Sequence, residues 1–194
     1  MSQIGTATVY QIAALALVSC TARYGSDMQP GATESPGTAW EARLEPPAQA
    51  APLGEPVRVT FVVRNRSSAP AELSNPDVGI PPAELDWPYG LDTYRAATLA
   101  SFGLLALELT DPEGRPISNT GPNPWVTPIM GPRLVLAPGP SMTLPIIVSD
   151  FFELDAIGQY RLRVTYGDGS PSVTAEAPLT VGQPRPPQPA APPT

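Results

Sequence analysis

The chain has 194 residues, enough for one hydrophobic core. Its 28 Pro and 16 Gly work against long helices, and a net charge of −7 argues against nucleic acid as a partner. All 11 basic residues are Arg and there is no His, so the commonest general base and the commonest zinc ligand are both missing. The single Cys excludes an internal disulfide and leaves the fold to stand on its core.

Residues 1–19 read as a signal peptide. Ile12 to Val18 is an apolar run far shorter than the roughly 20 residues a bilayer span needs, and its length fits the apolar region of a secretory signal. The run closes on Leu17-Val18-Ser19-Cys20. This resembles the lipobox of bacterial lipoproteins, in which the Cys is acylated and becomes the first residue of the mature chain. The resemblance implies that Cys20 anchors the protein in a membrane of the bacterial cell envelope, each buried methylene contributing roughly 0.8 kcal/mol. Thr21, standing where an Asp would imply inner-membrane retention, implies the outer membrane by the same likeness. Met1 to Gln11 contains no Lys or Arg, a departure from the usual leader of that family. The alternative is a buried helix start with an incidental Cys. Residues 20–38 read as the lipidated Cys and a flexible tether, because Gly, Ser, Thr and Pro recur there without periodicity.

Residues 39–182 read as an all-β domain. Trp40, Ala42 and Leu44 alternate with Glu41, Arg43 and Glu45 in a first strand that Pro46 and Pro47 end. Val57, Val59, Phe61 and Val63 alternate with Arg58, Thr60, Val62 and Arg64 in a second, followed by a turn from Asn65 to Pro70 that opens on Asn65-Arg66-Ser67. That tripeptide matches a glycosylation sequon, but a turn Asn is the better reading. A short strand is expected over Ala71 to Ser74. Asn75 to Ser101 then reads as a long irregular insertion, with one or two helical turns between Leu91 and Ala100. Leu105, Leu107 and Leu109 mark the next strand, and Asp111-Pro112-Glu113-Gly114 is a type I turn signal. Pro116 to Pro132 reads as a second irregular insertion. Strands follow from Leu134 and from Met142 to Val148.

Tyr160, Leu162, Val164 and Tyr166 then alternate with Gln159, Arg161, Arg163 and Thr165, the clearest half-buried strand in the chain. Asp168-Gly169 signals a hairpin, and Val173 to Val181 is the last strand, with Pro178 pointing to a sheet edge. Leu154 and Gly158 lie six and two residues before Tyr160. This arrangement resembles the tyrosine corner of immunoglobulin-like and fibronectin type III-like domains, where the phenol hydroxyl bonds back to the upstream backbone. The resemblance implies a single immunoglobulin-like antiparallel β-sandwich of seven or eight strands with two long irregular insertions. Leu136-Ala137-Pro138-Gly139-Pro140-Ser141 and Gly158-Gln159-Tyr160 are also similar to bacterial envelope sandwiches and to some proteinase-inhibitor sandwich domains. Residues 183–194 form a Pro-rich tail, read as disordered.

No nucleophile elbow, Cys–His pair, P-loop or dinucleotide fingerprint occurs. Asp77, Glu84, Asp86 and Asp92 gather in the first insertion. Oxygen ligands there would suit calcium, yet the spacing matches no loop pattern and a solvated acidic loop is preferred. No catalytic residue, metal or cofactor is therefore expected. The aromatic residues Trp87, Tyr89 and Tyr94 in the first insertion, with Trp125 in the second, are the candidate partner-binding residues. Long loops often carry function, and Trp and Tyr dominate recognition surfaces; a lid folded onto the core is the competing reading. The sequence thus predicts a monomeric, lipid-anchored, non-catalytic envelope protein that binds or scaffolds an envelope protein or glycan. A proteinase-inhibitor-like or enzyme-accessory domain is the alternative, and a carboxylate-dependent hydrolase the second.

Overall fold

The computed structural model describes residues 39–75, 88–123, 133–168 and 171–186. Cys20, Trp87, Trp125, Asp77, Glu84 and Asp86 lie outside the described residues. The described chain is mostly β. Its strands are β1 (Trp40–Glu45), β2 (Ala51–Pro52), β3 (Arg58–Asn65), β4 (Ala71–Leu73), β5 (Leu105–Thr110), β6 (Pro116–Ile117), β7 (Leu134–Leu136), β8 (Ser141–Ile147), β9 (Gly158–Tyr166) and β10 (Val173–Gly182), with helix α1 (Gly90–Ser101) between β4 and β5. Eight of these fall where the sequence reading expects strands. The two-residue strands β2 and β6 do not, because two residues cannot display a period.

The strands form a three-stranded sheet β1-β3-β8, a five-stranded sheet β2-β10-β9-β5-β6 and a small pair β4-β7. All pairings are antiparallel except the short parallel contact of β2 with β10. Register explains the core. Leu44, Phe61 and Leu144 lie in one row across the first sheet, and Leu107, Val164 and Ala175 in one row across the second. Because side chains alternate along a strand, each row continues every second residue, and both apolar faces bury into one shared cluster. The Phe61 and Tyr166 rings meet across the two sheets at 6.4 Å between centroids and a 50° tilt, a geometry that contributes about 0.5–1.5 kcal/mol beyond burial. Opposite Pro178, β10 has a hydrogen-bonded strand on one side only among the described residues, so the missing N–H leaves no ladder bond unmade there.

Two expectations need correction. The first insertion is not irregular throughout: α1 runs for 12 residues. The stretch from Tyr89 to Asp111 contains no Pro, Ala96, Ala97 and Ala100 favour helix, and Asp92 in the first turn complements the helix dipole. Its end is also written in the sequence. Gly103, at φ +70°, donates its N–H to the Ala100 carbonyl, and Leu104 donates to Leu99, the paired bonds of a Schellman stop. The second insertion begins later than expected, since Pro116 and Ile117 pair with Thr110 and Leu109 to close a hairpin over the Asp111–Gly114 turn.

Candidate functional site

Two polar ties fix the first turn of α1 to neighbouring elements, and a third joins those two elements to each other. Arg58 at the start of β3 pairs with Asp92 at 2.6 Å. The buried Thr93 hydroxyl donates to the Asp150 carboxylate at the 3-10 turn Val148–Asp150. The Val57 N–H donates to the Ser149 hydroxyl at 3.2 Å, drawing that 3-10 turn onto the approach to β3. On this platform Tyr89 and Leu91 stand exposed at 46% and 55%.

Tyr94, expected beside them as a binding residue, is only 2% exposed. Its position explains this: on a helix, residues three and four apart share a face, and Ala97 and Thr98 are buried too. Tyr94 therefore belongs to the helix's packed side and not to the exposed surface. Asp92, expected in an acidic cluster, is engaged by Arg58. Among the described residues, no cluster of carboxylates, Cys or His is arranged to hold a metal ion.

The corner before β9 is built from nearby residues. Tyr160 donates its hydroxyl hydrogen to the Ala156 carbonyl at 2.8 Å and accepts the Ala156 N–H at 3.1 Å, so one phenol satisfies both backbone groups of a residue four upstream. The Tyr160 ring is buried, and Leu154 packs partly buried against the core cluster. Gly158 sits at φ +152°, and a Cβ there would come within 2.6 Å of Pro112. The corner thus rests directly on the β5–β6 turn. That turn is itself clamped: Asp111 accepts from the Arg115 backbone N–H at 2.8 Å and from its Nε at 2.7 Å. Partial desolvation pulls the Asp111 carboxyl upward, but the hydrogen bonds from Arg115 outweigh it and leave the group below its ordinary value.

Asn65 shows why the sequon is a structural turn. The residue is 1% exposed. Its Nδ2 donates to the Ala69 and Leu136 carbonyls, each at 2.8 Å, while its Oδ1 accepts from the Ser67 N–H at 2.9 Å. The amide ties β3, the turn after it and β7 together, and no donor is left for modification. A second long-range tie, the 2.6 Å bond from the buried Tyr166 hydroxyl to the Ser74 carbonyl, closes the same end of the domain. Sequence reading missed Thr93, Asp150 and Ser74, because each acts through a partner more than fifty residues away.

No family model matches the chain, and no curated protein matches it at a significant level.

Proposed function

We propose that this is a lipid-anchored bacterial envelope protein whose single immunoglobulin-like sandwich binds or scaffolds a partner without catalysing a reaction. The lipobox at Leu17 to Cys20 supports the anchor. The strand arrangement supports the fold. β1-β3-β8 stand where strands A, B and E stand in an immunoglobulin-like domain, β10-β9-β5 where G, F and C stand, and β6 takes the C′ place beside β5. The Tyr160 bond falls at the E–F corner of that scheme, where the tyrosine corner is expected.

The observation that carries the binding role is the first turn of α1. It exposes Tyr89 and Leu91 next to Asp92 and Thr93, which are tied to the distant residues Arg58 and Asp150. A rigid element that displays an aromatic and an aliphatic side chain loses little entropy on docking, which favours recognition. Trp87 and Trp125 remain sequence-based candidates for the same surface.

Two measurements test the reading. An alkyne-palmitate label in a bacterial host is expected on the native chain and lost in Cys20→Ala; equal labelling of both, or of neither, refutes the anchor. A photocrosslinking residue at Leu91 is expected to yield one discrete adduct in the envelope, and one at exposed Thr180 on β10 to yield none. Absence of an adduct at Leu91 refutes recognition through α1.

A further inference from the structure

The chain enters the described domain at one end and leaves it at the other. Ala39 accepts the Arg66 N–H just beyond the last residue of β3. Gly182 accepts the Leu53 N–H, and Arg185 pairs with Glu55 at 3.2 Å, just ahead of the first residue of β3. The two points are therefore separated by the length of β3, eight residues or about 24 Å. Register sorts the other segments between these ends. The β3–β4 turn and the β9–β10 hairpin lie with Ala39, since Asn65 and Tyr166 close β3 and β9 there. The start of α1, the β5–β6 turn and the corner at residues 151–158 lie with Gly182, tied through Arg58–Asp92, Thr93–Asp150 and the Pro112–Gly158 contact.

Charge divides the same way. At the Gly182 end Arg58, Arg115 and Arg185 are all paired with carboxylates. Glu153 and Asp155 are exposed there with no cationic partner among the described residues. At the Ala39 end exposed Arg64 balances exposed Glu72. An anionic lipid surface repels the first end and is neutral toward the second.

We infer that the Ala39 end faces the membrane and that the end carrying Tyr89, Leu91 and Ile157 is displayed away from it. This rests on the anchor proposed at Cys20. The 18 residues from Thr21 to Thr38 span at most about 60 Å when fully extended. The domain therefore stays near the bilayer, and its attached end is on average the nearer one. Among the described residues, three of the four exposed large apolar side chains, Tyr89, Leu91 and Ile157, then meet partners approaching from across the envelope.

The test uses the acylated full chain in vesicles of phosphatidylethanolamine and phosphatidylglycerol that carry an acceptor-labelled lipid. Acylation consumes the only native thiol, so a donor dye can be placed at Ser68→Cys, Thr143→Cys or Glu153→Cys, all exposed positions. Thr143 pairs with Val62, midway along β3. Transfer is expected to fall in the order 68, 143, 153, the first exceeding the last at least about twofold over a ~24 Å separation. Bound protein with equal or reversed transfer overturns the orientation alone. Protein that fails to associate with the vesicles and carries no palmitate overturns the anchor, and the orientation with it.

Discussion

The corner at Tyr160 and helix α1 both close gaps in the same core, by opposite means. The corner is local: its decisive bond joins residues four apart in sequence, and its Gly lies within the same short segment. α1 is held by residues that are 34 and 57 positions away, and it packs into the shared core against β5 and β8. Local closure depends on a few residue types at fixed spacing. Long-range closure depends on the whole fold already being present. The two regions should therefore fail differently when broken.

The largest effect is expected in the helix. Leu99 is fully buried and belongs to the shared cluster. Leu99→Ala should lower unfolding stability by about 2–5 kcal/mol, through lost transfer energy and the cavity left between helix and sheets. Urea unfolding at neutral pH measures it. A loss below about 1 kcal/mol, the size of an ordinary surface change, would mean that α1 is an appendage and not part of the core.

The same contrast decides what could be read from sequence. Alternation located β1, β3, β5, β9 and β10 because each buries one face and wets the other, which writes a period of two into a single segment. The spacing of Leu154, Gly158 and Tyr160 pointed to a corner for a similar reason. α1 is longer than its local signal: the sequence yields only one or two turns between Leu91 and Ala100, and Gly103 marks a stop only once the helix is present. Tyr94 reads as a surface residue only if its stretch is a loop, whereas a helical period puts it on one face with buried Ala97 and Thr98. The partners Arg58, Asp150 and Ser74 carry no local signal at all; nothing in a lone carboxylate or carbonyl names the distant group that will meet it.

Breaking the corner should cost less, and its two parts can be separated. Gly158→Ala places a side chain in a backbone region that favours Gly and drives it against Pro112. The expected loss is about 1–3 kcal/mol, in the range of stored backbone strain. Tyr160→Phe keeps the buried ring and removes only the hydroxyl. About 1 kcal/mol should be lost, because Ala156 is half-buried and water replaces part of its bonding. If Tyr160→Phe costs as much as Leu99→Ala, the hydroxyl organises more of the fold than its own corner, and the distinction between local and long-range closure collapses.

The smallest effect tests whether exposed long-range ties hold anything at all. Glu41 on β1 and Arg66 after β3 are 25 residues apart and form an ion pair at the Ala39 end, with Arg66 about half-exposed. The hydrogen bond from Arg66 is the main reason the Glu41 carboxyl lies below its ordinary value near 4.5, with further lowering from Arg64 and Arg43. A lowered carboxylate stabilises the fold above its unfolded value, and that contribution fades as pH falls through the folded one. Glu41→Gln should therefore destabilise at pH 7, by less than about 1 kcal/mol because solvent screens the pair. The gap between variant and native protein should narrow once the pH drops below about 4, the range in which an unperturbed Glu takes up its proton. Added salt should narrow it at neutral pH as well, since screening shortens the reach of exposed charges. Unfolding free energies at neutral and acidic pH, with and without salt, check all three. A gap that ignores both pH and salt would show that the Gln alters packing and not charge. The tie between β1 and β3 would then rest on the ladder and on the buried Leu44–Phe61 row, as the tie between α1 and the sheets rests on Leu99.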